Sequence, residues 1–471
     1  MTAVMVQGCT SWAGKSWVTT ALCRWYARQG LSVAPFKAQN MANNARVVDG
    51  HGERPGGEIG TAQWLQAMAA GVTPDIRMNP VLVKPETWTS SQVIVDGRVD
   101  PAISALPWSD RAPMLRTSMH RALDSLLADF DLVVIEGAGS PAEINLDDQV
   151  NMAIAAHAQA PVLLVADIDR GGAFAHLYGT WALQQPQDGD RIKGFILNRF
   201  RGDATLLAPG PQELERHTGI PTIGVIPMVE HDLPDEDGGA LHRRAESAAQ
   251  TVGIVRYPTA SNLDEYVRME QVANILWIDE AEQVGQVDLV VLPGSKHPLG
   301  DEAWLRQTGV GEAIVASADR GTRILGICGG LQLLGGEIVD GTQRVAGLGL
   351  LDASTRMQPG KVARSCEVAM AADLGPAWSM IAGANFTGYE IRQGEVTAGM
   401  SAPACAEGTT AVVDGNVLGV LAHGMLEDAG ILERLFDTQP TRSLEDTFEA
   451  LADLVEEHLD TDLLRRLAGL N

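Results

Sequence analysis

The sequence predicts an α/β protein made of two domains, each built on a parallel sheet. Short, continuous apolar runs such as 132–135 and 324–327 alternate with helical patterns, as expected for strands that are covered on both faces. Two glycine-rich turns, at 8–16 and 326–330, each join such a run to a helix. The chain has 471 residues, which is too many for one hydrophobic core. We therefore expect two α/β domains, each with a ligand site where a strand turns into a helix.

The elements of the first half follow one another as in a sheet with crossover helices. The predicted strands are 3–7, 33–36, 132–135, 161–166, 192–198 and 222–226, and the predicted helices are 16–29, 60–70 and 110–127. The stretch 230–250 then changes to acidic, glycine-rich and small residues, which is typical of a linker between domains.

A second α/β series begins after this stretch. Its predicted elements are strands 251–256, 289–292 and 324–327, a β-rich region at about 360–420 and an amphipathic helix at 443–470. The predicted organisation is a first domain 1–235, a linker 236–250, a second domain 251–440 and a C-terminal helical appendage 441–471.

Charge and composition favour a cytoplasmic soluble enzyme. The formal net charge is −25 and the pI is about 4.7, which argues against a nucleic-acid partner or an anionic membrane. No apolar run reaches membrane-spanning length, and the N-terminus lacks the pattern of a signal peptide. The five cysteines are odd in number and scattered, so we expect neither a disulfide framework nor a zinc site.

A phosphate-binding loop is predicted where the first strand meets the first helix. Gly8 and Gly14 are separated by five residues, one more than the standard spacing, and Lys15 and Ser16 follow directly. In such a loop, backbone N–H groups cradle phosphates, the lysine neutralises the β and γ oxygens, and the hydroxyl reaches Mg²⁺. An ordinary glycine-rich turn is the alternative, but the position between a strand and a helix favours a nucleotide site.

Charged side chains at the ends of other strands are predicted to face the same crevice. Glu136 ends the run 132–135, and it either holds Mg²⁺ beside the triphosphate or caps the following turn. Asp167, Asp169 and Arg170 follow the next strand. They are candidates for contacts with substrate or phosphate, with loop ion pairs as the alternative.

Two further polar residues are candidate contacts of the nucleotide. Lys37 ends the second predicted strand, and Asn198 ends a later strand. We expect both to contact ATP, Asn198 through an edge of the base.

A nucleophile elbow is predicted at Cys328, between an apolar strand and an apolar helix. Gly326 and Gly330 flank the cysteine and supply room and unusual backbone angles. The helix N-terminus behind the sulfur favours the thiolate, and the N–H of Gly329 is placed for a developing oxyanion. A buried core thiol is the alternative, although a core cysteine would not require the two glycines.

The partners of this nucleophile are predicted from the same domain. His423 follows a short strand and is the best candidate base among ten histidines. Gly294 follows the strand 289–292 and could donate the second N–H to an oxyanion. The other four cysteines lack such a setting, and we interpret them as structural: Cys9, Cys23, Cys366 and Cys405.

With both sites in view, the chain resembles, nearly end to end, the cobyric acid synthase family of glutamine-dependent amidotransferases in cobalamin biosynthesis. The runs that carry the resemblance are 35–41 (PFKAQNM), 79–85 (NPVLVKP), 136–146 (EGAGSPAEINL), 165–172 (VADIDRGG), 198–203 (NRFRGD), 292–296 (LPGSK) and 388–391 (GYEI). The first domain is also similar to dethiobiotin synthetase, and the second resembles flavodoxin-like class I glutamine amidotransferase domains. The resemblance implies ATP and Mg²⁺ contacts at Lys15, Ser16, Glu58 and Glu136, and a catalytic pair of Cys328 and His423.

The resemblance also implies a reaction. It is the ATP- and glutamine-dependent amidation of four carboxylates (b, d, e and g) of adenosylcobyrinic acid a,c-diamide. Glutamine and a corrinoid would be the partners, ATP and Mg²⁺ the cofactors, and a homo-oligomer is compatible with the sequence. For this polycarboxylate substrate we expect a basic mouth that includes Lys37, Lys84 and Arg170.

Three alternatives stay open at this point. They are a cobyrinic acid a,c-diamide synthase, another glutamine-dependent ligase such as an amidotransferase of cell-wall lipid intermediates, and a P-loop switch or partitioning protein with a degenerate amidotransferase domain.

Three positions depart from the family pattern. Met425 stands two residues after His423, where most amidotransferases of this class keep an acid. The site is then a dyad, or its third member comes from elsewhere, with Glu390 and Glu427 as candidates. The other two departures are Arg392, where the family usually has histidine, and Trp12, which is large for a phosphate loop.

Overall fold

The computed structural model describes residues 2–50, 56–85, 90–146, 148–229, 231–234 and 249–470. The predicted linker 236–250 lies outside these residues except for its last two positions. No helix within the described ranges is long and apolar enough to cross a bilayer.

The first half is organised around one parallel six-stranded sheet with the order β12-β11-β10-β1-β9-β2. Its strands, with those of two small accessory sheets, are β1 (Thr2–Gly8), β2 (Val33–Phe36), β3 (Gln39–Met41), β4 (Ala45–Val48), β5 (Gly57–Gly60), β6 (Val81–Pro85), β7 (Ser91–Val95), β8 (Arg98–Val99), β9 (Leu132–Glu136), β10 (Val162–Asp167), β11 (Ile192–Phe200) and β12 (Thr222–Pro227). The helices are α1 (Lys15–Arg28), α2 (Thr61–Ala70), α3 (Pro101–Ser104), α4 (Trp108–Asp129), α5 (Met152–His157), α6 (Ala173–Ala182), α7 (Pro186–Gly189) and α8 (Gly210–Thr218). The predicted parallel sheet is confirmed, because every apolar run assigned to it is one of its strands.

The second half repeats the principle with a seven-stranded sheet of order β15-β13-β16-β18-β26-β25-β23. The strands of this sheet and of two smaller sheets are β13 (Thr251–Val255), β14 (Ala260–Ser261), β15 (Asn274–Ile278), β16 (Leu289–Leu292), β17 (Gly294–Ser295), β18 (Arg323–Ile327), β19 (Glu337–Asp340), β20 (Gln343–Ala346), β21 (Ala353–Met370), β22 (Asn385–Ala398), β23 (Ala402–Pro403), β24 (Cys405–Glu407), β25 (Ala411–Asp414) and β26 (Val417–Val420). The helices are α9 (Pro298–Thr308), α10 (Val310–Asp319), α11 (Gly329–Leu334), α12 (Ala429–Phe436), α13 (Leu444–His458) and α14 (Thr461–Leu467). The first five strands in the sheet order are parallel, so their carboxyl ends share one edge.

The C-terminal helices α13 and α14 return to the first domain. Phe448 and Leu451 of α13 share one apolar cluster with Leu22 and Trp25 of α1. Arg28, also in α1, donates to the carboxylate of Glu449 in α13. The appendage therefore completes the core of the first domain, although it follows the second domain in sequence.

Two hairpins form much of the contact between the domains. The antiparallel pair β4–β5 of the first domain packs against the long pair β21–β22 of the second. Ala45 and Leu82 from the first domain share an apolar cluster with Tyr389 and Ile391 from the second. This contact brings side chains of both domains next to the elbow cysteine.

Candidate active site

The elbow at Cys328 has the predicted strand–turn–helix geometry. Cys328 lies between β18 and α11 with φ 52° and ψ −106°, a strained conformation for a residue that carries a side chain. A Cβ on Gly326 would lie 2.7 Å from the Gly330 carbonyl carbon, and one on Gly330 would lie 1.9 Å from the Leu292 oxygen. Both flanking positions therefore require glycine because the backbone is packed against them.

The predicted base, His423, follows β26. The Cys328 side chain lies close enough to the histidine ring to raise the pKa of His423, and Sγ of Cys328 lies 3.6 Å from the Ile391 carbonyl oxygen. Nδ1 of His423 lies 3.0 Å from Oε2 of Glu265, and Oε1 of the same carboxylate accepts from the backbone N–H of Gly424 at 2.9 Å. The side chains of His423 and Glu265 are 1% and 0% exposed. Together these residues form a Cys–His–Glu triad.

The third member of the triad is thus Glu265, on the 3₁₀ turn Leu263–Gln271, and the two candidates from the sequence are wrong. Glu390 binds the guanidinium groups of Arg364 and Arg392. Glu427 binds Arg46 of the first domain. Glu265 lies 158 residues before His423, so no local spacing indicated it. The one available signal was a carboxylate shortly after the strand 251–256.

The triad favours a charged imidazole. Burial opposes the charge, but the Cys328 sulfur and the Glu265 carboxylate outweigh burial and raise the pKa of His423 to about 10. An imidazolium next to the sulfur stabilises the thiolate, which is the nucleophilic form of cysteine. Burial raises the pKa of each of the four other cysteines: Cys9 to about 12, Cys366 to about 11, and also Cys23 and Cys405.

Gly294 and Gly329 lie next to the predicted catalytic pair. A Cβ on Gly294 would lie 3.0 Å from Cε1 of His423, and one on Gly329 would lie 2.3 Å from the Ser295 nitrogen. The turn that contains Gly294 is therefore packed directly against the start of α11. Their role as oxyanion donors stays a prediction that this proximity favours.

Cys328 opens into a cavity of about 630 Å³ that both domains line. Asn43 and Lys84 come from the first domain, and Gln332 and Lys361 come from the second. A second cavity of about 820 Å³ also lies between the domains and shares Lys361 with the first. The predicted site at Cys328 is therefore assembled at the domain interface.

The phosphate-binding loop is shaped by its glycines and its extra residue. Gly14 has φ 92°, and a Cβ there would lie 2.1 Å from Nδ2 of Asn198. Trp12 also has a positive φ, 66°, and its carbonyl accepts from Nη1 of Arg199 at 3.1 Å. The large side chain at Trp12 lines a cavity of about 390 Å³ together with Lys15. The loop thus forms an open pocket at the N-terminus of α1, where phosphate groups bind readily.

Ser16 lines this pocket, and its hydroxyl contacts the buried carboxylate of Glu136. Oγ of Ser16 donates to Oε1 of Glu136 at 2.8 Å, and Nζ of Lys37 donates to the same oxygen at 2.7 Å. Two glutamines of α2 hold the other oxygen: Nε2 of Gln63 at 3.3 Å and Nε2 of Gln66 at 2.5 Å. Sequence reasoning missed these glutamines, although their spacing of three residues places them on one helix face.

The pair of Ser16 and Glu136 suits Mg²⁺, which proteins usually hold through one or two carboxylates while phosphates and water complete the shell. Among the described residues, no group of three or more His, Cys, Asp or Glu side chains could hold a metal by itself. In this structure both oxygens of Glu136 are engaged by Ser16, Lys37 and the two glutamines, so its role as a Mg²⁺ ligand stays a prediction that requires Lys37 to move when the metal arrives with the nucleotide.

The other residues predicted for the nucleotide site mostly support the loop. Nδ2 of Asn198 donates to the Ala13 carbonyl at 2.9 Å. Oδ2 of Asp167 lies 3.2 Å from Nη1 of Arg199 and 3.4 Å from Nε of Arg170. Asp169 pairs with Arg201, at 2.9 Å between Oδ1 and Nε. These contacts favour the loop ion pairs left open above, and ligand roles for Asn198, Asp167, Asp169 and Arg170 stay predictions.

Glu58 lies in an ion cluster at the domain interface. It pairs with Lys84 of its own domain and with Lys361 of the second domain, whose Nζ is 2.7 Å from Oε1. Although burial opposes it, the two ammonium groups lower the pKa of Glu58 to about 2. Both carboxylate oxygens are thus engaged by lysines, which argues against the predicted metal role of Glu58.

The expected basic mouth is not formed by the residues named for it. The side chains of Lys37 and Lys84 are each 4% exposed, and they pair with Glu136 and Glu58. Only Arg170 of the three is exposed, and it faces Asp167. Both lysines instead offset buried carboxylates inside the protein.

Comparison with known proteins agrees with this geometry. A family described as the CobQ/CobB/MinD/ParA nucleotide binding domain matches residues 4–237, and a CobB/CobQ-like glutamine amidotransferase domain matches residues 251–430. The class is thus defined: the protein is a glutamine-dependent ligase in which a nucleotide-binding domain is joined to a class I glutamine amidotransferase domain.

The relatives are similar over nearly the whole chain. Proteins named cobyric acid synthase from Polaromonas sp. strain JS666, Variovorax paradoxus strain S110 and Methylibium petroleiphilum strain PM1 are 48%, 49% and 49% identical to it. The matches cover 99%, 98% and 99% of this chain and 98%, 98% and 96% of the relatives. The chain belongs to the cobyric acid synthase family.

Proposed function

We propose that this chain uses ATP and glutamine to amidate the b, d, e and g carboxylates of adenosylcobyrinic acid a,c-diamide, giving adenosylcobyric acid. The observation that carries the proposal is the intact triad of Cys328, His423 and Glu265 on the same chain as the Ser16–Glu136 pocket. Full-length relatives named cobyric acid synthase support the choice of a corrinoid.

The second domain releases ammonia from glutamine. The Cys328 thiolate attacks the amide carbon, and the backbone N–H groups of Gly294 and Gly329 stabilise the oxyanion that forms. His423 gives its proton to the departing nitrogen, so the C–N bond breaks and ammonia leaves a thioester. His423 then takes a proton from water, which attacks the thioester and gives glutamate and the free cysteine. Glu265 keeps the ring oriented through Nδ1 in both steps.

The first domain activates the carboxylate that receives the nitrogen. A carboxylate is a poor acyl donor, so its oxygen first attacks the γ-phosphorus of ATP, and ADP leaves. Ammonia then attacks the acyl phosphate, and phosphate leaves as the amide forms. The phosphate-loop N–H groups and Lys15 hold the phosphates in line for transfer. Ser16 and Glu136 would hold Mg²⁺, which supplies positive charge against the transferring phosphoryl group.

A substrate comparison tests the proposal against the a,c-diamide synthase alternative. The purified chain is given ATP and glutamine with either cobyrinic acid or adenosylcobyrinic acid a,c-diamide, and the products are identified by mass spectrometry. We expect four amidations of the a,c-diamide. Amidation of cobyrinic acid at the a and c positions, with no reaction of the a,c-diamide, would refute the proposed substrate.

A further inference from the structure

One buried arginine of the first domain donates its side-chain hydrogen bonds to the second. Arg46 lies in β4, and its side chain is 7% exposed. Nη1 donates to Oη of Tyr389 at 2.7 Å, and Nη2 donates to Oδ2 of Asp264 at 2.5 Å. Nη1 also binds the carboxylate of Glu427. The guanidinium thus joins three segments of the amidotransferase domain.

Two of these partners are adjacent to the triad. The Tyr389 ring stacks on the His423 ring, with centroids 5.2 Å apart and planes 20° apart. The same two residues exchange backbone hydrogen bonds of 3.2 and 2.8 Å between N–H and carbonyl groups. Asp264 directly precedes Glu265 in the 3₁₀ turn. Arg46 therefore holds both the residue that packs against the base and the segment that carries its orienting carboxylate.

We propose that Arg46 is a positioning residue through which the nucleotide-binding domain completes the glutaminase triad. The role rests on the glutaminase reaction of the proposed function. Arg46 is not among the described residues that line the Cys328 cavity, so it acts through Tyr389 and Asp264 and does not contact glutamine. The amidotransferase domain is then fully active only when docked on its partner domain.

The energetics of a buried charge support this role. Without the guanidinium, the carboxylate of Asp264, which is 0% exposed, loses its cation in an environment where unpaired charge is costly. Thr61 donates to Oδ2 of Asp264 at 3.3 Å, and a neutral hydroxyl cannot replace that cation. The 3₁₀ turn must then shift, and Glu265 shifts with it. A lysine at position 46 restores the positive charge, but its ammonium group lacks the planar guanidinium geometry that binds two partners at once.

The test compares Arg46→Met and Arg46→Lys with Arg77→Met in the full chain. Arg77 is a matched control because it is also buried, at 4% side-chain exposure, and is held by the carboxylates of Asp75 and Asp129, far in sequence from the triad. Glutamine hydrolysis gives kcat and KM, and ADP release with corrinoid and ammonia monitors the first domain.

We expect R46M to lower kcat for glutamine hydrolysis by about 10- to 100-fold, as for the loss of a buried charge-assisted contact. KM for glutamine should stay within about threefold of wild type, because uniform substrate binding is not touched. The kcat of R46K should lie between those of R46M and wild type. The glutaminase kcat of R77M should stay within about threefold of wild type.

Three results would overturn the inference: a wild-type kcat in R46M, a rise in KM alone, or an equal loss of kcat in R77M. If R46M is not recovered folded, Tyr389→Phe decides. It keeps the ring on His423 but removes the hydroxyl that both Arg46 and Asn262 bind, so Asn262→Ala is measured beside it. A kcat reduced beyond that of Asn262→Ala supports the inference, and an equal or smaller loss overturns it. A wild-type protein without any glutaminase activity would refute the proposed function and this inference together.

Discussion

Replacing Glu265 with glutamine should disable glutamine hydrolysis while leaving the fold intact. The substitution keeps the size of the side chain, and its amide oxygen can still accept from the N–H of Gly424. The amide nitrogen then faces Nδ1 of His423, which in wild type lies 3.0 Å from Oε2 of Glu265. The imidazolium thus loses its acceptor and its neighbouring negative charge.

The size of the effect follows from that contact. A hydrogen bond to a charged group contributes about 1.5–3 kcal/mol, which corresponds to roughly a 10- to 150-fold decrease in kcat. Loss of the ring orientation would add to this decrease. The assay is glutamate release from glutamine at saturating substrate, in the full chain.

The same variant should change the pH profile. The Cys328 sulfur and the Glu265 carboxylate, working against burial, raise the pKa of His423 to about 10, so the imidazolium persists below that pH and is lost above it. Removing the carboxylate charge lowers the pKa of His423. The alkaline limb of kcat/KM for glutamine hydrolysis should therefore move to lower pH.

Glu302→Gln is the matched control, because Glu302 is also buried in the second domain and is ion-paired, with Arg306. It should retain its glutaminase kcat and its pH profile. A wild-type kcat and an unshifted alkaline limb in E265Q would refute the assignment of Glu265 as the third member of the triad.

Three further predictions concern the rest of the molecule. Ser16→Ala should abolish ADP release in the presence of corrinoid and ammonia but leave glutamine hydrolysis unchanged, because its hydroxyl contacts Glu136 and not the triad; loss of both activities in a folded variant would contradict this. Glu58→Gln should make the melting temperature less dependent on pH in the acid range. The pKa of Glu58 is lowered from 4.5 to about 2, so its ionised carboxylate contributes stability that is present above pH 4.5 and lost as pH falls through 2. Thermal melts in which E58Q and wild type lose the same stability in acid would contradict this prediction. Phe448→Ala should destabilise the first domain by about 3–5 kcal/mol in urea denaturation, because α13 packs on α1. An unchanged unfolding transition of the first domain would show that the appendage is not part of that core.

Local patterns were sufficient for the two strand–turn–helix sites. The glycines around Cys328 and in the phosphate loop create positive φ angles or tight backbone contacts within a few residues, so spacing alone indicates them. The buried strands were equally predictable, because continuous apolar runs are required where helices cover both faces of a sheet.

Contacts between distant segments were not predictable from one sequence. Glu265 reaches His423 only because the fold brings the 3₁₀ turn beside β26. Lys361 reaches Glu58 only across the domain interface. Glu58, which was expected to be a metal ligand, is therefore part of an ion cluster. The small strands β3–β8 were also missed, since strands this short depend on their partners rather than on their own periodicity.

The central claim is that Cys328 releases ammonia from glutamine and that a separate site in the first domain uses this ammonia to amidate activated carboxylates. Cys328→Ser tests this claim most directly. The variant is assayed for amidation of the a,c-diamide with ATP and either glutamine or ammonium chloride. We predict no reaction with glutamine and a wild-type rate with ammonia. Loss of the ammonia reaction in a folded C328S protein, or continued use of glutamine, would contradict the account.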